Sequence, residues 1–515
     1  MTDIASFINR RHFLQAGAAG ALVAVSPRAV FAQGRGRLRI AYGAIGPSRN
    51  PLLLSIVPDW DINALVFDML VLPGENGEPI PGTATQEILR PSPEVIRFKL
   101  KPGLTFSDGA PLTAEDVKFS IESYLRKDVL NNYMYNTWLD RVDVVDELTV
   151  DLVSKRPYRV ALANMAYQSF IVPRTATDLQ EFAKAPVGSG PYVIAEAEGS
   201  DRILLKPNPS YKRQAAGFQE ILFRKIPEDA TRVAALLAGE VDFAASVRVE
   251  DIDAIKRAGS DVEDISTVRM MFVRFNLGLD GPLRDVRVRR AINHAVDREA
   301  LQEAFFGGLG AVATAPVAKG ARYWADGLPP YEYDVEKAKK LLAEAGQGSG
   351  FRIKFVTPMG RYYRDREMAE AIAGQLQDVG ITAEIVPLEW ATYLQQVRTE
   401  RETTGKNYAL SLMAWGNPIL DVDFGVVPFD EVSNAWNVGD YKNPRVQELM
   451  VAGRQEFDEA KLKANYDEMQ KLIWEDAPWL FLFEMPTVNG IGKAVTGARQ
   501  GKNETIDWAS ARPAN

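Results

Sequence analysis

The strongest constraint on the fold is a strand–helix–strand unit in the last third of the sequence. Residues Phe351 to Thr357 form one predicted strand, and Ile381 to Val386 form the next. Between them, Met368 to Val379 carries apolar residues at helical spacing, and Gly380 ends that helix. Two strands joined by a helix of this length pair in parallel through a right-handed crossover. The unit therefore predicts an α/β fold.

A second informative stretch runs from Arg97 to Leu125. Alternating apolar residues predict strands at Arg97 to Leu100 and at Leu104 to Phe106. A helix should follow, because Thr113 is a good N-cap and Asp116 three residues later completes a capping box. The stretch predicts a strand, a turn and a capped helix in fewer than thirty residues.

Histidine is scarce in this chain. Residues Asp285 to Leu301 are predicted to form one amphipathic helix, and His294 falls opposite its apolar face. We expect this side chain to face solvent rather than a ligand. The other histidine, His12, lies in a segment predicted to be removed. Two histidines are a thin supply for a transition-metal site, and we expect neither a metal nor a cofactor.

Composition excludes several classes of protein. The chain has 515 residues, which is too long for a single core, so several domains are expected. Its net charge of −8 disfavours nucleic acid as a partner. It has no cysteine, which excludes disulfides, zinc–thiolate sites and thiol catalysis.

The N-terminus has the outline of an export signal. The pair Arg10-Arg11 precedes a short run of small and apolar residues, and Val30 to Ala32 offers a cleavage site near Ala32. The arginine pair is typical of twin-arginine signals, which are read by the export machinery of that pathway. A membrane anchor is the alternative, but Ala16 to Val25 is half the length that a bilayer requires. We predict a cleaved signal peptide at 1–32 and a soluble protein in the periplasm.

Several motifs together resemble one family. They are the stretch from Arg97 to Leu125, Gly188-Ser-Gly-Pro-Tyr192, Asn208-Pro-Ser-Tyr211 and the closing strand Ala477 to Glu484. This set resembles the peptide-type extracytoplasmic solute-binding proteins of ABC importers, the dipeptide, oligopeptide and nickel group known as solute-binding protein family 5. The resemblance covers the chain from Leu38 to about Met485.

The resemblance implies a two-lobed periplasmic-binding-protein fold of the α/β class with an additional inserted α+β domain. The chain would cross between the lobes near Arg269 and again near Glu484. The implied segments are 33–67, 189–269 and 486–515 for lobe I, 68–188 for the inserted domain II, and 270–485 for lobe II.

The function implied by this resemblance is capture without chemistry. A ligand held between two lobes stabilises the closed arrangement, because only that state contacts it from both sides. The closed protein then docks on the inner-membrane ABC permease. We expect a monomer that is not an enzyme.

Two stretches are predicted to hold the ligand. Arg361 and Tyr363 follow a strand, and their Arg-x-Tyr spacing resembles the carboxylate site of dipeptide-binding relatives. Trp415 would supply apolar contact and one N–H donor. Peptide-binding relatives carry an amine-binding aspartate three residues after this tryptophan, where this chain has Pro418. The further candidates are Asn417, Asp421, Asp423, Trp436 and Asn437.

Each of these candidates also has a purely structural interpretation. Arg361 could lie in a solvated basic loop, and Trp415 could be core packing at a strand end. Asp421 and Asp423 match an acidic pair of the family, but they could simply cap a helix.

The predicted ligand is a small carboxylate-bearing solute. A peptide, a modified amino acid, an opine-like conjugate and a sugar acid are equally consistent with the candidates, and a nickel chelate is less favoured. Two alternatives to import stay open on sequence alone: a periplasmic sensor subunit with the same fold, and an extracytoplasmic hydrolase that uses paired carboxylates.

Overall fold

The computed structural model describes residues 36–53, 56–74, 76–129, 132–213, 216–399, 408–432 and 436–514. The predicted signal peptide, 1–32, lies outside the described residues. Among the residues that are described, no helix is both long enough and apolar enough to cross a membrane.

The strands in chain order are β1 (Arg37–Tyr42), β2 (Val71–Pro73), β3 (Pro79–Pro81), β4 (Thr85–Ser92), β5 (Val95–Leu100), β6 (Leu139–Asp146), β7 (Thr149–Ser154), β8 (Tyr192–Glu198), β9 (Arg202–Pro207), β10 (Glu220–Lys225), β11 (Phe243–Ala244), β12 (Asp261–Phe275), β13 (Ala311–Val312), β14 (Phe351–Met359), β15 (Ile381–Glu389), β16 (Leu410–Trp415), β17 (Trp479–Ile491), β18 (Val495–Thr496) and β19 (Arg512–Pro513).

The α-helices are α1 (Val57–Val66), α2 (Ala114–Ser123), α3 (Tyr133–Asn136), α4 (Ala161–Tyr167), α5 (Leu179–Phe182), α6 (Asp229–Leu237), α7 (Ile252–Arg257), α8 (Val286–Ala295), α9 (Arg298–Phe306), α10 (Val335–Glu344), α11 (Asp365–Gln377), α12 (Trp390–Leu394), α13 (Val422–Gly425), α14 (Pro444–Gln455) and α15 (Glu459–Asp476). Short 3₁₀ turns include Pro51–Leu53 and Val249–Asp251.

One large sheet runs through most of the molecule in the order β15-β14-β16-β12-β17-β11-β1-β10-β9-β8. We call β11, β1, β10, β9 and β8 its first half, and β15, β14 and β16 its second half. In the first half, β1 is parallel to both β10 and β11. In the second half, β14 is parallel to both β15 and β16. The predicted parallel pair with its crossover helix, α11, is therefore confirmed.

The strands β12 and β17 pass from one half to the other. Asp261 to Ser266 pairs with Pro486 to Ile491, and Met270 to Arg274 pairs with Trp479 to Glu484. The register shifts between Ser266 and Met270. The irregularity lies beside Arg269 and Glu484, the two positions at which the chain was predicted to cross.

The stretch around α2 folds as predicted, with one exception. The Thr113 N–H donates to the Asp116 carboxylate at 3.0 Å, and the capping box is present. The predicted strand from Leu104 to Phe106 is wrong, since only one isolated bridge, from Thr105 to Pro111, forms there. The Phe106 N–H donates to the Ala110 carbonyl at 2.8 Å, so this backbone closes a tight turn and does not extend a sheet.

The predicted helix from Asp285 to Leu301 is two helices, α8 and α9. Val296 has extended dihedrals, and the Asp297 carboxylate accepts the Ala300 N–H at 2.9 Å, which starts a new helix. A strong N-cap outweighed the continuing apolar pattern.

The prediction that His294 faces solvent is also wrong. Its side of α8 is covered by the segment at 331–334. The imidazole Nδ1 lies 2.7 Å from the Glu332 carbonyl, and the Tyr331 ring meets its edge at 5.3 Å. Burial lowers the pKa of His294. The periodicity of one helix could not show that a distant loop packs on its polar face.

Separate apolar clusters fill the two regions. One joins the first half of the sheet to the segment 68–188, and another packs α14 and α15 against the crossing strands β12 and β17. Trp415 packs against both clusters. This tryptophan therefore lies where the two regions meet.

Candidate ligand-binding cleft

The carboxyl ends of both sets of parallel strands point into the same space. The segment 245–251 follows β11, and the segment 360–364 follows β14. The Tyr363 hydroxyl donates to the Glu250 carboxylate at 2.9 Å, so the two segments are in contact. Ligands of open α/β sheets bind outside the carboxyl ends of the strands. The space between these loops is the candidate cleft.

The loop that carries Arg361 is shaped by one buried carboxylate. Asp365 accepts backbone N–H groups from Gly360 at 3.2 Å, Arg361 at 2.9 Å and Tyr362 at 3.0 Å. A carboxylate at the first turn of α11 also complements the helix dipole. Gly360 has φ of 73°, which a glycine adopts at little cost. The loop conformation is thus fixed by its own sequence.

Arg361 lies across two aromatic rings. Its guanidinium carbon is 5.3 Å from the centre of the Tyr362 ring and 5.2 Å from that of Trp390. Within the described part of the chain, no carboxylate pairs with this guanidinium, and the side chain is exposed. The aromatic rings hold the charge in place and leave its N–H donors available.

Tyr362 links this loop to the strand that presents the tryptophan. Its hydroxyl accepts the Ala414 N–H at 3.0 Å, one residue before Trp415. The Trp415 indole N–H donates to the Phe424 carbonyl at 2.9 Å, and its ring stacks on Phe424. Trp436 meets the Trp415 ring edge-on at 4.9 Å. The indole donor is used within the protein, so Trp415 offers apolar surface.

The amide candidates brace their own loops. Asn417 exchanges hydrogen bonds with the backbone of Asp421, donating at 2.9 Å and accepting at 3.3 Å. Asn437 does the same with the backbone of Tyr441, at 2.8 and 3.0 Å. Both side chains are buried. These amides fix the shape of the wall that they belong to.

Asp421 connects the segment 68–188 to the second half. Its two carboxylate oxygens accept from the two terminal nitrogens of Arg159 at 2.8 and 3.0 Å. Burial would lower the pKa of Arg159, but the charges of Asp421 and Tyr466 together with the Asp421 hydrogen bonds raise it. Asp421 also accepts the Asp423 N–H at 3.0 Å and so caps α13, as one of the two interpretations predicted.

Asp423 belongs to a neighbouring ion-pair cluster. Arg454 donates to Asp423 at 2.8 Å and to Asp430 at 2.9 Å. Burial raises the pKa of Asp423, while the adjacent Arg454 opposes that shift. The backbone of Arg159 donates to the Arg454 carbonyl at 2.8 Å, which joins the two clusters.

The crossing strands carry two more charged groups. Arg269 donates to the Glu504 carboxylate at 2.7 Å; burial opposes its charge, but Glu504 raises its pKa. Glu484 is buried and accepts the Lys319 N–H at 2.6 Å. Burial raises the pKa of Glu484 to about 7, against the lowering effect of Lys319 and Lys502.

On the opposite side of the cleft, the loop after β1 holds a buried arginine. Arg49 is 4% exposed and donates one hydrogen bond to the Gly46 carbonyl. The nearest carboxylate oxygen, on Asp59, is 3.8 Å away. Within the described ranges, the Nε and Nη1 atoms of Arg49 have no hydrogen-bond partner. Sequence reasoning missed this residue, and Asp365 and Trp390 with it, because their significance depends on neighbours brought by the fold.

The family follows from a comparison with known proteins. The family model described as "Bacterial extracellular solute-binding proteins, family 5 Middle" matches residues 78–437. The chain belongs to this family. It is a substrate-binding protein of the kind that serves ABC importers, and the predicted function is confirmed at that level.

Curated relatives and solved structures agree with this family. The glutathione-binding protein GsiB of Pectobacterium atrosepticum is 26% identical over 411 residues, which cover 78% of this chain and 79% of the relative. DppA from Helicobacter pylori, solved with the peptide STSA, has a TM-score of 0.80 at 22% identity and covers 94% of this chain and 100% of its own. NikA from Brucella suis, solved with Fe(III)-EDTA, has a TM-score of 0.82 at 21% identity, with coverages of 93% and 99%. The predicted α/β periplasmic-binding-protein fold is confirmed.

Proposed function

We propose that this family 5 protein captures a small carboxylate-bearing solute between its two lobes and delivers it to an ABC permease. The observation that carries the proposal is the state of Arg361. It is fixed on two aromatic rings at the carboxyl end of β14, and its guanidinium has no carboxylate partner among the described residues. A guanidinium presented in this way matches the planar geometry of a carboxylate.

Some of the remaining candidates would contact the solute, and the others would support the wall of the cleft. Trp415 and Trp436 form an apolar wall that would cover the uncharged part of the solute. Tyr363, bonded to Glu250 across the cleft, would close the mouth over it. The residues that would hold the wall in place are Asn417, Asp421, Asp423 and Asn437.

The relatives favour a peptide-like solute. GsiB is named for glutathione binding, and the DppA structure contains a peptide. Both ligands end in a carboxylate. For this chain, a short or modified peptide is therefore the first choice among carboxylate solutes, ahead of opine-like conjugates and sugar acids.

The site is proposed to act without chemistry and outside the cytoplasm. Export through the twin-arginine pathway, cleavage near Ala32 and residence in the periplasm as a monomer complete the proposal. The lobes would comprise 33–67, 189–269 and 486–515 on one side and 270–485 on the other, with 68–188 inserted. Ligand capture would shift the population toward the closed arrangement.

The test is a thermal-shift and calorimetric screen with short peptides, opines, sugar acids and uncharged sugars. Carboxylates should raise the unfolding midpoint, because they bind the folded state alone. The variant Arg361→Ala should weaken their binding at least tenfold with little change in the midpoint of the ligand-free protein. Arg361→Lys should fall between, since it keeps the charge and loses the planar fork.

Arg366→Ala is the matched control for this test. Arg366 lies in the same basic segment, but its side chain is bonded to Glu370 at 2.9 Å, so its loss should leave affinity unchanged. Uncharged sugars as the only ligands, or carboxylates bound equally by Arg361→Ala, would refute the proposal.

A further inference from the structure

A buried arginine with two unbonded nitrogens lies in the loop that follows the carboxyl end of β1. Arg49 follows β1 and is 4% exposed, and two of its nitrogens, Nε and Nη1, have no hydrogen-bond partner among the residues that the structure describes. Burial lowers its pKa, and the charge of Asp59, 3.8 Å from Nη2, opposes that shift. A buried donor without an acceptor loses its hydrogen bonds to water and gains no protein hydrogen bond, so its burial is unfavourable.

Two other buried arginines, Arg232 and Arg298, do not share this property. Arg232, 2% exposed, donates to four backbone carbonyls and to Asp229. Arg298, 5% exposed, donates to three carbonyls and to Asn293. The fold supplies hydrogen-bond acceptors to the guanidinium groups of these two arginines, but the described residues supply none to Nε and Nη1 of Arg49. Its free nitrogens are therefore suited to an acceptor from outside the chain.

Arg49 follows a strand of the first half whose carboxyl end faces the candidate cleft. It follows the carboxyl end of β1, and the neighbouring parallel strand β11 leads to Glu250, which touches Tyr363. Electrostatic neighbours link the two sides as well. The charges of Asp59, beside Arg49, and of Arg269 both shift the pKa of Tyr167. Tyr362 in turn raises the pKa of Arg269.

We propose that Arg49 is a second anion-binding residue and that the solute carries two acidic groups. One group would bind Arg361 on the second half of the sheet, and the other would bind Arg49 on the first half. This inference rests on the proposed capture of a carboxylate solute and narrows it to dianionic molecules. A solute held at both ends by opposite lobes also requires the lobes to be closed, which couples recognition to closure.

The test compares pairs of probes that differ in one charge. The pairs are the dipeptides Gly-Glu and Gly-Gln, and glutarate and its monoamide glutaramate. The wild-type protein should bind each diacid about tenfold or more tightly than its amide, the effect expected of one charge-assisted hydrogen bond. Arg49→Gln should abolish this preference and leave the affinity for the amide unchanged, which also shows that the variant is folded.

Arg361→Ala should instead weaken acid and amide alike, because both retain one carboxylate. Arg248→Gln is the control on the first half, since that arginine is already paired with Asp251 at 2.6 Å. The inference is overturned if wild-type protein binds diacids no more tightly than amides, or if Arg49→Gln retains the preference. If none of the four probes binds and uncharged solutes do, the proposed function fails together with it.

Discussion

Arg159 and Arg361 place the same type of side chain in two different environments. Arg159 lies between the segment 68–188 and the second half with its side chain 10% exposed, both terminal nitrogens on Asp421 and a further bond to the Tyr466 hydroxyl at 2.9 Å. Arg361 is exposed on aromatic rings, with no carboxylate beside it among the described residues. The number of acceptors that the fold supplies to a guanidinium distinguishes the structural role of Arg159 from the ligand-binding role proposed for Arg361. Arg49 extends this contrast. It is buried, as Arg159 largely is, but two of its nitrogens have no acceptor among the described residues.

The largest expected effect on stability comes from removing Arg159, the arginine whose donors are paired. Arg159→Met leaves the buried Asp421 carboxylate without its partner, which should lower stability by about 3–5 kcal/mol. Urea unfolding followed by circular dichroism measures this loss. Arg126→Met, which removes an exposed pair with Asp128, should cost about 0–1 kcal/mol.

Adding Asp421→Asn to Arg159→Met should recover part of the loss, because the stranded charge is then removed. If Arg159→Met and Arg126→Met unfold at the same urea concentration, the buried pair has no architectural role.

A second prediction extends the comparison to acids, because Glu484 is buried and no arginine pairs with it among the described residues. Its pKa in the folded protein is about 7, above the ordinary value of 4.5, so the folded state binds the proton more tightly than the unfolded state. Its stabilising contribution is complete below pH of about 4.5 and is lost as pH rises to about 7, a change on the order of 3 kcal/mol. Thermal unfolding across this range should show a steeper decline in wild-type protein than in Glu484→Gln.

The exposed acid Glu336 supplies the control, since Glu336→Gln should retain the wild-type slope. Parallel pH profiles for wild-type protein and Glu484→Gln would show that Glu484 is already ionised when buried.

The smallest expected effect concerns the two aromatic rings under the Arg361 guanidinium, those of Tyr362 and Trp390. Trp390→Leu removes one of its two rings, so the guanidinium should be less well positioned and carboxylate affinity should fall about two- to fivefold, as expected for a cation–π contact of about 0.5–1 kcal/mol. Calorimetric titration with the best-binding peptide measures this change. Phe305→Leu removes the equivalent ring under Arg364 and should leave affinity intact, so equal losses in both variants would point to a general packing defect.

Much of the fold was predictable because its signals are local. The spacing of Met368, Ile372 and Leu376 produced the buried face of α11, and the Thr113–Asp116 capping box starts α2. Errors arose where a distant or competing contact decided the outcome. Asp297 started a new helix inside an apolar pattern, and a loop near residue 332 covered His294.

The site was less predictable, because pairing is a tertiary property. Asp421 has the same local sequence whether it meets a ligand or Arg159, which is 262 residues away in the chain. Nothing near Arg49 in sequence indicates that the fold denies it acceptors. Arg361 could be proposed as a ligand-binding residue from the sequence because its position after a strand and its spacing to Tyr363 are local features, and that role stays a prediction.

The course of β12 and β17 has a consequence for measurement. These strands are hydrogen-bonded to each other where they pass between the halves of the sheet. Two adjacent crossings permit rotation about a single axis, so we expect opening of the cleft to have one main degree of freedom. Any distance between the two halves would then report the same coordinate. Because the chain contains no native cysteine, one pair of thiol-attached fluorophores could follow solute capture in real time.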